Sequence, residues 1–137
     1  MRRTTTFVLV LFCLAFNGTG FAEVYKCRPE IKYECSKENC ERNTEGFQHA
    51  ENFDFDGKTA KMSACLWTNC YEGKALVFKD KSTSTFTAVG RLAPSAHPGN
   101  EPITVSMTVD SKGSFTAIWG YGSEGLTFDM GKCEIPK

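Results

Sequence analysis

FTAIWGYGSEGLTFDMGKC, residues 115–133, decides the fold class. Phe115, Ala117 and Trp119 occupy every second position, and beyond a glycine-rich corner Leu126, Phe128 and Met130 do so again. An alternation of period two marks a strand, because successive side chains point to opposite faces. The stretch reads as the closing hairpin of a small antiparallel β domain. It ends in Cys133, whose partner must lie far upstream. Gly120, Gly122 and Gly125 spell G-x-G-x-x-G, but that motif holds a pyrophosphate only where a helix leaves the loop. Here a strand leaves, so the glycines are read as positions needing positive φ in a tight turn or bulge. A serine-hydrolase elbow also fails, since Tyr121 stands where G-x-S-x-G needs a glycine.

Working outward, the same alternation recurs. Ile103, Val105, Met107 and Val109 form one face of a strand, and Asp110-Ser111-Lys112-Gly113 turns the chain. Phe53 and Phe55 lead into an Asp56-Gly57 turn, followed by Ala60, Met62 and Ala64. Residues 71–79 make a strand with a bulge at Glu72-Gly73. After Asp80-Lys81-Ser82, residues 83–92 place Phe86, Ala88, Gly90 and Leu92 on one face. Val24-Tyr25-Lys26-Cys27 is a short first strand. Residues 28–46 are charged and punctuated by Pro29, Asn39 and Gly46; they read as a loop stapled by Cys35 and Cys40, with one helical turn begun by Ser36. Residues 93–102 hold Pro94, Pro98, Pro102 and Gly99 and read as a surface loop. Seven or eight short strands without a helical period give an all-β domain, a small antiparallel barrel or sandwich. The Thr and Ser residues between the apolar positions leave one side of the sheet wet.

Residues 1–22 read as a signal peptide: Arg2 and Arg3, an apolar run over residues 7–16, then small residues at Gly20 and Ala22. The run is too short to span a bilayer, and Phe12 before Cys13 argues against a lipid anchor. A single domain over residues 23–137, periplasmic or secreted, is expected. Setting Cys13 aside leaves Cys27, Cys35, Cys40, Cys65, Cys70 and Cys133, an even set that an oxidising compartment would pair. The two C-x4-C spacings are wider than those of zinc knuckles. Of the connectivities open to six cysteines, Cys35–Cys40, Cys65–Cys70 and Cys27–Cys133 are favoured. Net charge is zero with no basic block, which argues against nucleic acid or an anionic membrane as main partner.

Tyr25-Lys26-Cys27 near the start of the mature chain and Cys133 near its end resemble the small exported β-barrel proteins that inhibit lysozyme in the bacterial periplasm. That resemblance implies a barrel with its terminal cysteines paired and a loop that enters an enzyme's cleft. The family's serine-rich S-x-S-G-x-x-Y run has only a fragment here, Ser123-Glu124-Gly125, so no inhibitory residue carries over. More broadly, WTNCYEG (67–73) and WGYGSEGLTFDMGKC (119–133) resemble uncharacterised small exported cysteine-rich proteins of Gram-negative bacteria, which implies a location and no activity. The G-x-W of a lipocalin's first strand is absent.

Trp67, Tyr71, His97, Trp119 and Tyr121 are the candidate binding residues. Trp67 is read as held at the apex of its cysteine-closed loop or folded over the barrel end, a core plug before a ligand platform. Asp54 and Asp56 alternate along one hairpin with His49 and Glu51 nearby and could work as acid and base. Carboxylates on an outward strand face are ordinarily solvated charges, however. His49 and His97 lie far apart without a carboxylate at ligand spacing, so neither a metal nor another cofactor is expected. The expectation is a module that binds or inhibits a protein or small ligand through its long loops. A structural or envelope-assembly protein is the alternative, ahead of a hydrolytic enzyme.

Overall fold

The computed structural model describes residues 23–44, 50–67, 69–122 and 125–135; residues 1–22, His49 and Ser123-Glu124, which carry some of the expectations above, lie outside them. The described residues form nine strands: β1 (Val24–Cys35), β2 (Cys40–Arg42), β3 (Ala50–Asp56), β4 (Lys61–Leu66), β5 (Cys70–Asp80), β6 (Thr85–Pro94), β7 (Ile103–Val109), β8 (Ser114–Gly120) and β9 (Leu126–Glu134). Each pairs antiparallel with its neighbour, and β1 also pairs with β9. The sheet thereby closes into an eight-stranded barrel, with β2 as an extra strand on the second half of β1. No helix among the described residues is long and apolar enough to cross a membrane.

Closure depends on β1 doing two jobs. One edge runs along β9 from Lys26↔Glu134 to Cys35↔Leu126. The other edge pairs with β3 over Val24–Cys27 and then with β2 over residues 33–35. The first strand is therefore much longer than its sequence reading, and residues 28–46 are no simple stapled loop. Residues 28–35 continue β1, and a hairpin follows. Pro29, which donates no backbone hydrogen bond, is tolerated because it sits at a register shift between Pro29 and Ile31. The expected helical turn at Ser36 is instead a tight hairpin turn, with Ser36 Oγ accepting from the Glu38 and Asn39 amides.

The interior follows the alternation read from the sequence. Phe53, Met62, Leu92, Val105 and Met107 are fully buried. Large residues meet small ones across strands: Phe53 faces Ala64, Met62 faces Gly73, Met107 faces Ala88 and Ala117, and Phe115 faces Gly131. Such pairing fills a narrow barrel with side chains at interior density. Gly73 is thus not in a bulge; both of its ladders keep register. A Cβ there would come within 2.9 Å of the Arg91 carbonyl oxygen, so glycine admits the close approach of β6.

β9 inverts the apparent pattern. Its inward row is Thr127, Asp129, Gly131 and Cys133, opposite the inward Trp119, Ala117 and Phe115 of β8 and Cys27 of β1, while Phe128 and Met130 face out. Cys133 must point inward to meet Cys27, and period two carries that choice along the strand. All three disulfides join residues that directly oppose each other: Cys27–Cys133, Cys35–Cys40 and Cys65–Cys70, with Cα separations of 3.8, 4.0 and 4.0 Å. This is the favoured connectivity. On loop-closure entropy, the bridge across 106 residues stabilises by about 4–5 kcal/mol and each bridge across 5 residues by about 2 kcal/mol.

The two barrel ends differ. At one end three tight turns each begin with an aspartate that caps its own turn. Asp56 Oδ1 accepts from the Lys58 and Thr59 amides, Asp80 Oδ1 from the Ser82 amide and hydroxyl, and Asp110 Oδ1 from the Lys112 and Ser114 amides. Hydrogen bonds hold all three carboxyls below the usual range, the largest effect coming from the Thr59 side chain at Asp56, the Ser82 side chain at Asp80 and the Ser114 amide at Asp110. Asp54 is shifted the other way, up, mainly by burial and against the pull of Lys26. The ends of β4, β6 and β8 and the starts of β5, β7 and β9 lie at the opposite end, as does the β1–β2 turn.

Gly131→Ala should lower stability by on the order of 2–4 kcal/mol, because its Cβ would run into the Arg28 carbonyl and Phe115. Gly99→Ala, with nothing within 4 Å, should be neutral in the same urea titration. A second expectation follows from the turn aspartates. Lowered folded pKa values mean that the unfolded chain binds more protons, so this stabilisation is complete above about pH 4 and is lost as pH falls through the folded values. Asp54 opposes it, its ionisation costing stability as pH rises. Replacing Asp56, Asp80 and Asp110 together by Asn, which keeps the turn acceptor, should flatten the fall in melting temperature below pH 4.

Candidate functional site

The loop-bearing mouth is built on the ends of β5, β8 and β9. Tyr71, one residue into β5, is buried, and its ring meets the Tyr121 ring edge-on at 6.4 Å and 76°. Trp119, near the end of β8, also meets the Tyr121 ring edge-on, at 6.4 Å and 71°. The two tyrosine hydroxyls lie 3.4 Å apart. Burial, and then the Tyr71 hydroxyl, push the Tyr121 phenol far above its ordinary value, so it stays protonated and able to donate.

Beneath these rings lies the fully buried Asp129. The Trp119 indole N–H donates to Asp129 Oδ2 at 2.6 Å. A carboxylate withdrawn from water is costly unless hydrogen-bonded, and the indole can only donate. The pair therefore ties β8 to β9 at the level where the barrel ends.

Beyond the mouth, the sheet continues as a concave shelf. Its register sets Glu41 of β2, Glu34 of β1, Thr127 of β9 and Trp119 of β8 in one cross-strand row. Asn39 Nδ2 donates to Glu41 Oε1 at 2.8 Å. This row lines a groove of about 640 Å³ between the β1–β2 hairpin and the β8–β9 corner. Gly125, at φ 138°, closes the corner: a Cβ there would stand 2.8 Å from the Cys35 carbonyl oxygen. The glycine string thus serves turn geometry and close packing, and a strand leaves it.

Across the mouth, the Cys65–Cys70 bridge closes a short loop in which the Leu66 amide donates to the Asn69 carbonyl. Trp67 at its apex is 66% exposed, so it does not plug the core. Asn69 is buried and its side chain accepts from the Ala96 amide; the Ser95 amide and hydroxyl both donate to the Cys70 carbonyl. The proline-rich loop carrying the exposed His97 is thereby tied to the Trp67 loop.

Of the sequence candidates, the structure brings Tyr71, Trp119 and Tyr121 together and leaves Trp67 and His97 on the rim. Asp54 and Asp56 form no acid–base cleft, since Asp56 caps a turn at the far end. No three of His, Cys, Asp and Glu among the described residues gather where they could hold a metal ion. Sequence reasoning missed Asp129 and the Glu34–Glu41 row. Counting back by twos from an inward Cys133 reaches Asp129 and was the signal available.

Trp119→Phe, which keeps a ring but removes the donor, should cost about 1–3 kcal/mol in urea denaturation with the native far-UV spectrum retained. An unchanged midpoint would mean that the indole bond does not hold the buried carboxyl. Compared with protein-family models, with curated proteins and with solved structures, the chain finds no match, which leaves this end of the barrel to speak for its function.

Proposed function

We propose that the chain is an exported binding protein, acting in the periplasm or outside the cell, that docks on a partner protein with the loop-bearing end of its barrel. The observation that carries this reading is Trp67, 66% exposed at the tip of a disulfide-closed loop. An indole exposed to that extent has apolar area left to bury on association, and tryptophan is enriched among the residues that dominate binding energy. The bridge and the Asn69 bond limit the loop's freedom before binding, so less ordering entropy is lost on docking. Three disulfides support an oxidising compartment. Inhibition of an enzyme would be one outcome of such docking.

A second reading, an envelope-assembly protein, is favoured by one specific feature. The outer face of β1, β9 and β8 carries Ile31, Tyr33, Met130, Phe128 and Ile118 in adjoining cross-strand positions. Apolar strips of this kind mark contact surfaces. Capture from periplasmic extract on the immobilised oxidised protein separates the two. Trp67→Ala should weaken capture of the bound partner about thirtyfold or more, equivalent to roughly 2 kcal/mol, and Ile118→Thr with Met130→Thr should not. The reverse pattern would transfer the function to the outer face.

A further inference from the structure

Closure into a barrel does not cover every strand along its whole length. β5 pairs with β4 from Cys65↔Cys70 to Lys61↔Lys74, and with β6 from Tyr71↔Pro94 to Asp80↔Thr85. The β5–β6 hairpin therefore runs past the β3–β4 turn, and residues 76–80 have a strand on one side only. Which backbone groups face the empty side follows from the last bond on it, in which the Ala75 amide donates to the Ala60 carbonyl. Along an antiparallel strand the amide and carbonyl of one residue point to the same neighbour, and those of the next residue point to the other. Val77 and Lys79 thus turn both groups away from β6, and among the described residues no backbone partner meets them there. An unpaired row of this kind is a template for a further strand.

The side chains beside that row say what strand fits. Leu76 and Phe78 stand on the outer face, 71% and 62% exposed, with Val89 of β6 opposite Leu76. Lys58, Lys74, Lys79 and Lys81 are exposed around the same edge. The nearby acids are engaged: Glu72 meets Lys61 at 2.8 Å, and Asp56 and Asp80 accept from their own turns. Positive charge flanking an apolar row selects an acidic partner. It also disfavours a second copy of this chain, since pairing β5 with itself would bring two sets of these lysines along one seam. On a strand laid antiparallel beside β5, the residues opposite Leu76 and Phe78 share their outer face, and those opposite Val77 and Lys79 carry the amides that bond to the edge. Apolar side chains suit the first set, and an acid beside Lys79 suits the second. We infer that the open edge of β5 at residues 77–79 takes an antiparallel strand from a partner protein in which apolar and acidic residues alternate. This edge lies at the end of β5 away from the Trp67 loop, so it is independent of the docking role given to Trp67.

The probe is a capped peptide of about seven residues alternating valine with glutamate, titrated into the oxidised protein by calorimetry. It should bind, and a valine–lysine peptide of the same length should bind about tenfold or more weakly. Methylating the glutamate amide nitrogens, which face β5, should weaken binding about tenfold or more, whereas methylating the valine amide nitrogens should change it less than about threefold. Leu76→Thr with Phe78→Thr, at exposed positions where a β-branched residue suits the strand, should weaken it about fivefold or more. Trp67→Ala should leave it unchanged. The inference is overturned if the valine–glutamate peptide does not bind, or if binding ignores the sign of the peptide's charge, the choice of methylated amides or the paired Leu76 and Phe78 substitutions. It is equally overturned if sedimentation shows the oxidised chain alone to be a dimer that those two substitutions dissociate, since a second copy would then occupy the edge.

Discussion

The ladder between the first and last strands is the constraint on which everything else rests. β1 and β9 pair from Lys26↔Glu134 to Cys35↔Leu126, and without that pairing the nine strands would be an open sheet with two bare edges. Three local features let the seam form. Cys27 and Cys133 lock it covalently, the shift at Pro29 accommodates a residue without an amide proton, and Gly131 leaves room for the Arg28 carbonyl. Each is a single-residue solution to a problem created by closure. Because the seam fixes which way Cys133 points, it also fixes that Asp129 is inside, and so why an indole donor is needed at Trp119.

Closure also gives the barrel two unlike ends. The turns capped by Asp56, Asp80 and Asp110 are short and satisfied within themselves. The opposite mouth takes the proline-rich segment after β6, two of the disulfides and the edge-on Tyr71, Tyr121 and Trp119 rings. Rigid scaffold below and irregular backbone above is the arrangement in which loops carry function. Here the two local bridges stiffen the loops themselves, so the mouth is held in shape before any ligand arrives.

Much of this was legible because period two survives wherever one face is buried. Phe53 and Phe55, Phe86 to Leu92, and Ile103 to Val109 could be assigned to the core from spacing alone, and the cysteine pairing is the one favoured among those open to six cysteines. Reading failed where a residue's local preference opposed its tertiary setting. Pro29 and the surrounding charges hid the second half of β1, although Ile31, Tyr33 and Cys35 alternate with Glu30, Lys32 and Glu34. Phe128 and Met130 resemble core residues and face outward, because the partner of Cys133 and the space beside Phe115 decide the face, and both lie on other strands. The groove was invisible for the same reason: the Glu34–Glu41 hairpin is set beside Thr127 and Trp119 only by the long-range β1–β9 register.

The seam has a consequence for the order in which the molecule can be made. The hairpins from β3 to β8 join neighbouring stretches and can assemble as each second strand appears, whereas Cys27 waits for a partner 106 residues later in the chain. Contacts of such separation are slow to form because the intervening chain must be gathered first. Until β9 arrives, β1 carries an uncovered edge, and Cys27 is a thiol near four other cysteines that could capture it wrongly. A chain made from its N-terminus therefore spends its whole synthesis in the state most open to mispairing, and reaching the observed pairing needs exchange of disulfides as well as their formation.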